Sequence, residues 1–192
     1  MTMQSIIHCG PISRASISKQ TGLSKQTVSE LVRILEEEGW VSETGRTSGH
    51  VGRTATTYEL IPDSAFMAAV DLGGTKLRVA IVDLAGSIVA EVVAPTHPDG
   101  GRAVAVQIGE LVEAAVMQGN VDRTRVRQTV VGCPGVPDQA TGYVRFAPNI
   151  AGIDSFDFRG AMSKETGTQV MLENDVNLAV LGEQWLGAGR GI

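Results

Sequence analysis

The chain has 192 residues, room for one large domain or two small ones, and its 43% hydrophobic content supplies a genuine core. No apolar run approaches the ~18 residues of a membrane span, and the opening MTMQSIIHCGPIS has neither the charged start nor the long apolar stretch of a signal peptide. Cys9 and Cys133 lie far apart without a C-x-x-C, and His8, His50 and His97 do not cluster, so a reducing cytoplasm is expected and a zinc site is not. The formal charge of −5 is unevenly spread: residues 1–60 carry six basic and six acidic side chains, residues 61–192 ten and fifteen. Within residues 10–35, Arg14, Lys19, Lys25 and Arg33 face Glu30 alone, a locally basic stretch that points to nucleic acid.

In chain order, residues 4–9 read as a short helix ended by Gly10-Pro11. Ser13 caps a second helix running to Thr21 with Ile17 inward, and Gly22 stops it. Leu23 plugs the turn and Ser24 caps a third helix, in which Val28, Leu31, Val32 and Leu35 form one apolar stripe. Its other face opens with Lys25, Gln26, Thr27, Ser29 and Arg33. Helix, glycine turn, amphipathic helix is either an ordinary pair of packed helices or a helix-turn-helix. Side chains suited to base edges and phosphates favour the second, with Ser24, Lys25, Gln26, Thr27, Ser29 and Arg33 on double-stranded DNA. Strands at Val41–Glu43 and Thr56–Leu60 then make a β-wing, whose loop carries Gly52 and Arg53 for a minor groove. The organisation expected is a DNA-binding winged helix over 1–60, a linker over 61–64 broken by Pro62, and a second domain over 65–192.

That second domain opens on Phe66 to Asp83, two apolar runs joined by Gly73-Gly74. The pair reads as a hairpin whose second strand is buried on both faces. A carboxylate before the glycines and a hydroxyl after them leave open a ligand loop, with Gly73 and Gly74 cradling a phosphate and Asp71 holding a hydrated Mg²⁺. A strand at Ser87–Ala94, a helix at Val104–Met117, a strand at Gln128–Cys133, a helix at Phe156–Thr166, a strand at Gln169–Leu172 and a helix at Asp175–Leu186 follow. Three meander strands, then strands alternating with helices, predict a mixed α/β sheet. Gly132-Cys133-Pro134-Gly135 lies at the C-terminal end of a strand, where open α/β sheets bind ligands. Asn174-Asp175 at a helix start reads as an N-cap by itself.

D-x-G-G-T-K at Asp71–Lys76 with Asp83 closing the next strand resembles the first phosphate motif of the ROK family, on the ribonuclease-H-like fold of actin-like ATPases and sugar kinases. GLSKQTVSELVRILEEEGWV is similar to the winged helix that precedes the ROK domain in sugar-responsive repressors, with Thr54 in place of the usual wing proline. E-N-D-x-N at Glu173–Asn177 resembles the family's active-site motif. The resemblance implies Asp71, Gly73, Gly74 and Thr75 on phosphate, and Asp175 at the general-base position, not catalytic in this chain. It implies Gly135, Asn149, Asn174 and Asp175 on sugar, with Ile153 near the place of a usual tryptophan. Glu183 and Gly187–Gly191 continue the match. The family's second lobe, with its other phosphate loop, adenosine site and zinc motif, has no counterpart in these 192 residues. No metal and no cofactor are therefore expected. A regulator responding to a sugar or sugar phosphate, probing operator DNA as a weakened homodimer, is the expected function. A sugar kinase is the alternative, opposed by the sixty residues ahead of the DxGGTK strand, and a remnant without activity is the third reading.

Overall fold

Helix capping sets the architecture of the first part of the chain. In this computed structural model, which describes residues 1–47 and 55–189, α1 spans Thr2–Cys9 and starts earlier than its sequence suggested, because Thr2 and Ile6 both turn inward. A two-residue strand, β1 (Ile12–Ser13), leads into α2 (Arg14–Thr21). Ser13 caps α2 by accepting from the Ser16 amide at 3.2 Å. Gly22 ends it in the left-handed conformation, φ 73°, that lets the chain reverse without a Cβ clash. Ser24 then caps α3 (Lys25–Glu37) through the Thr27 amide at 3.1 Å.

Two longer strands, β2 (Val41–Thr47) and β3 (Ala55–Leu60), pair antiparallel, and β1 joins β3 on its other edge with Ile12 opposite Tyr58. The sequence showed the wing but not β1, since two residues carry no period. Ile6, Ile12, Ile17, Val28, Val32, Val41 and Tyr58 close one core. The apolar stripe of α3 is narrower than expected: Val28 and Val32 are fully buried and Leu35 partly, but Leu31 stays at the surface. Only the Val28–Val32 line faces the neighbouring helices and sheet, and Leu31 falls on the flank.

The chain divides into two compact units, Met1–Ser64 and Ala65–Ile192. A single 3₁₀ turn at Pro62–Ser64 ends the first, with the Ser64 hydroxyl donating to the Ile61 carbonyl at 2.7 Å.

The second unit is built on a five-stranded sheet. β4 (Phe66–Leu72), β5 (Lys76–Asp83) and β6 (Ile88–Pro95) form an antiparallel meander. After α4 (Gly101–Gln118), β7 (Val126–Cys133) returns parallel to β4. A small ribbon of β8 (Val136–Pro137) and β9 (Val144–Arg145) follows, then α5 (Phe158–Thr166), β10 (Gln169–Asn174) parallel to β7, and α6 (Asp175–Leu186). The sheet order is β10-β7-β4-β5-β6. Phe66, Ala68, Val70 and Leu72 alternate inward from β4 and share one core with Val104, Ile108 and Val112 of α4 and Phe158 and Met162 of α5. The expected burial of β5 on both faces holds only at Val79–Ile81; toward its start Lys76 and Arg78 are exposed, and Arg78 pairs with Glu91 across the strands at 3.2 Å. This is the mixed α/β fold expected, a winged helix followed by a five-stranded α/β unit.

Candidate DNA interface and candidate sugar site

The start of α3 presents Lys25, Gln26 and Thr27 exposed and Ser29 half-buried. Two of the hydroxyls expected on DNA are engaged with each other: Ser24 Oγ and Thr27 Oγ1 lie 2.9 Å apart, beside the capping bond. Arg33 departs further from expectation. Its guanidinium is clasped by Glu30 and Glu37, both at 2.5 Å, one turn away on either side. Those carboxylates hold the arginine firmly protonated, and Arg33 in turn keeps the Glu30 carboxyl below its usual range. A guanidinium already paired twice makes a poor phosphate contact, and the sequence hid this because i−3 and i+4 partners become visible only once the helix register is known. Gly52 and Arg53 lie outside the described residues.

Arg14, which the sequence singled out only as a charge, lies at the first position of α2 with its guanidinium carbon 4.8 Å from the centre of the Tyr58 ring. Its Nε is buried without a hydrogen-bond partner. Serine-arginine at a helix start was the signal available for it.

In the second unit the C-terminal ends of the three parallel strands converge. β4 delivers Asp71, paired in register with Gly132 of β7, and β10 delivers Asn174 beside Cys133. Asp71 is exposed, a free carboxylate next to the glycine turn, and suits a hydrated magnesium ion held mostly by water. The turn itself is stapled: the Gly73 amide donates to the Lys76 carbonyl at 3.0 Å. Thr96 fastens it from the side, its hydroxyl donating to the Gly73 carbonyl at 2.7 Å and its amide to the Thr75 carbonyl at 3.1 Å. Thr96 was missed in the sequence because it lies twenty-three residues away in a loop.

Gly74 brings the phosphate turn against the expected sugar residue. A Cβ there would stand 2.8 Å from Asn149 Cβ, so only glycine allows the approach. Asn149 is exposed beside an open cleft of about 700 Å³ that runs from Arg145 to Asp154. At its rim Phe146 holds a left-handed backbone, φ 55°, with its ring 80% exposed. Gly135, at φ 94°, faces the Arg145 carbonyl where a side chain would collide.

Asn174 makes structural bonds that its motif did not show. Its Nδ2 donates to the Gly135 carbonyl at 2.8 Å, and its Oδ1 accepts from the Val176 and Asn177 amides at 3.0 and 3.3 Å. The amide is a bracket that ties the proline-rich loop to the start of α6. Asp175 accepts from the Val176 amide through Oδ1 at 2.8 Å and is exposed, leaving its second oxygen toward solvent. Glu173 accepts from Asn177 Nδ2 at 2.9 Å and from the Asn174 amide at 2.8 Å, which holds its carboxyl below the usual range. Burial, then the nearby Asp175 and Glu173 charges, pushes the Cys133 thiol up to about 12, so it remains neutral. Among the described residues no cluster of three or more His, Cys, Asp or Glu could hold a metal ion, and no helix is long and apolar enough to cross a membrane.

A model of the ROK family matches residues 67–192, and one described as winged helix-turn-helix DNA-binding matches residues 3–42. A putative xylose repressor of Caldicellulosiruptor sp. is 27% identical over 97% of this chain and 47% of its own. A glucokinase of Thermotoga maritima is 34% identical over 65% of this chain and 38% of its own. The crystal structure of a ROK family transcriptional regulator, a homologue of the E. coli MLC protein, superposes with TM-score 0.78 over 96% of this chain and 47% of that one, at 22% identity. A ROK hexokinase from Thermus thermophilus gives TM-score 0.60 over 66% of this chain and 40% of its own, at 37% identity. The chain thus spans about half, or less, of the length of the relatives it matches. With its ROK match covering most of the sequence and a winged helix-turn-helix match ahead of it, the chain belongs to the ROK family.

Proposed function

We propose that this protein is a DNA-binding transcriptional regulator, a repressor of carbohydrate-related genes whose ROK portion senses a sugar or sugar phosphate. The observation that carries the reading is the winged helix: the repressor-like relative aligns along 97% of the chain, whereas the kinase aligns along 65%. Lys25 and Gln26 at the start of α3 read operator DNA. Gly135 and Asn174 frame the sugar site, with Asn149 and Asp175 donating and accepting at the sugar hydroxyls and the Asp71-to-Thr75 turn taking a phosphate where the effector has one. The site is that of a cytoplasmic sensor working as a dimer, weakly associated through the residues described.

The kinase reading draws its support from Asp71, the Gly73-Gly74 turn and the exposed Asp175. Phosphoryl transfer depends on a nucleotide positioned from both sides, an orientation worth ~7–11 kcal/mol of barrier. The described residues supply one phosphate turn and two exposed carboxylates, Asp71 and Asp175, and the winged helix-turn-helix match ahead of them sets the regulator reading first. Selection of duplexes from a random pool, followed by titration with a sugar panel, tests the regulator. A preferred duplex released by one sugar supports it; sugar phosphate formed from Mg-ATP and lost in Asp175→Asn supports the kinase.

A further inference from the structure

Arg33, the obvious cation of α3, is already paired with Glu30 and Glu37. Two other cations are not: among the described residues no carboxylate forms an ion pair with Arg14 or Lys25. Both occupy the first position of a helix, α2 and α3 respectively. That is the positive end of the helix dipole, where a cation is unfavourable and an anion is stabilised. The helix dipole therefore does not account for either cation's placement.

The two cations share a cleft of about 620 Å³, where the starts of α2 and α3 meet the base of β3, lined also by Ser13, Ser29 and Thr56. Among the described residues no carboxylate lines it. Tyr58 lies under the Arg14 guanidinium and fixes it, and Arg14 Nε is left buried without an acceptor. The rest of the half-buried guanidinium is engaged with Tyr58, so the unpartnered Nε is the donor whose cost an incoming anionic oxygen relieves. Glu36 and Glu43 act on the Tyr58 phenol, but neither pairs with Arg14.

We infer that this cleft is a backbone-phosphate site, with Arg14 as its braced anchor and Lys25 as its second cation, and that Arg33 takes no part in phosphate binding. The inference rests on the DNA-binding reading above and adds a contact that the sequence of α3 alone does not supply. A phosphodiester at this cleft would orient α3 on the duplex, while Gln26 addresses base edges.

The test uses the full chain and a random-sequence 20-base-pair duplex, with affinity measured by fluorescence anisotropy across salt concentrations. Each phosphate neutralised contributes about 0.9 to the slope of log affinity against log salt. Arg14→Ala is expected to flatten the slope by about that amount, Lys25→Ala to flatten it by no more than that amount, Arg14→Lys to keep it, and Arg33→Ala to leave it unchanged. Arg14→Gln keeps the stem over Tyr58 and removes only the charge, so it carries the test if Arg14→Ala fails to fold. A wild-type slope in Arg14→Gln, or a flattened one in Arg33→Ala, overturns the inference while leaving DNA binding in place. Wild-type protein without salt-dependent binding overturns both.

Discussion

The starts and surfaces of α3 and α6 show how differently the two units use an exposed helix. On α3 the apolar line, Val28 and Val32, is wholly buried, and Lys25, Gln26 and Thr27 are turned to solvent. On α6 the order is reversed. Val176, Val180, Leu181 and Trp185 are 56–64% exposed, while Leu178 reaches the sheet beside Gly132. A polar outward face suits a wet, charged surface such as DNA, and a contiguous apolar one is a liability unless another surface covers it. The winged-helix unit leaves Leu31 and Ile34 of α3 only 36% exposed, whereas α6 opens a larger apolar face.

The largest expected effect comes from separating the two cores. Phe158 and Ile17 are both completely buried, one in each unit. Phe158→Ala should cost ~3–5 kcal/mol and Ile17→Ala ~2–5 kcal/mol, and in calorimetry each should lower the melting of its own unit alone. A single transition that moves equally in both variants would merge what the comparison keeps apart.

Next in size is base recognition. Gln26→Ala should cost ~1–3 kcal/mol on a selected duplex and much less on random DNA, whereas a loss that is uniform across sequences would make Gln26 a phosphate contact. A third experiment contrasts two adjacent residues. Asn174→Ala removes the N-cap and the tie to Gly135 and should cost ~1 kcal/mol of stability. Asp175→Asn should leave stability nearly untouched and weaken sugar binding. Equal stability losses would erase the distinction between bracket and ligand contact.

The smallest effect concerns pH. The bonds from Asn177 and the Asn174 amide depress the folded pKa of Glu173, so its contribution is present above the unfolded carboxylate pKa and disappears as pH falls through the lower folded value. Melting temperature should drop slightly below about pH 4.3, and Glu173→Gln should reduce that drop. Unchanged acid sensitivity in the variant would show that other carboxylates carry it.

Much of the fold was legible because its signals are local. Ser13, Gly22 and Ser24 mark their helix ends by chemistry that acts within three residues, and α6 starts at Asp175 because Asn174 caps it. What stayed hidden depends on distant partners. The strand at Ile12–Ser13 exists only because Tyr58 returns beside it. The Glu30 and Glu37 partners of Arg33 show only once the helix brings them to its flanks, and the bond from Asn174 to the Gly135 carbonyl only once the loop comes within 2.8 Å. Thr96 needed the sheet to place it against Gly73. The motif residues were named from the sequence; which of their atoms are still free was decided by the fold.

The most direct measurement is anisotropy titration of the full chain on a selected duplex, with and without each member of a pentose and hexose panel. The account predicts tight binding to that duplex over random DNA, weakened by one sugar, with the sugar response lost and sugar-free binding kept in Asp175→Asn. No duplex preferred over random DNA, at any salt concentration, would contradict it.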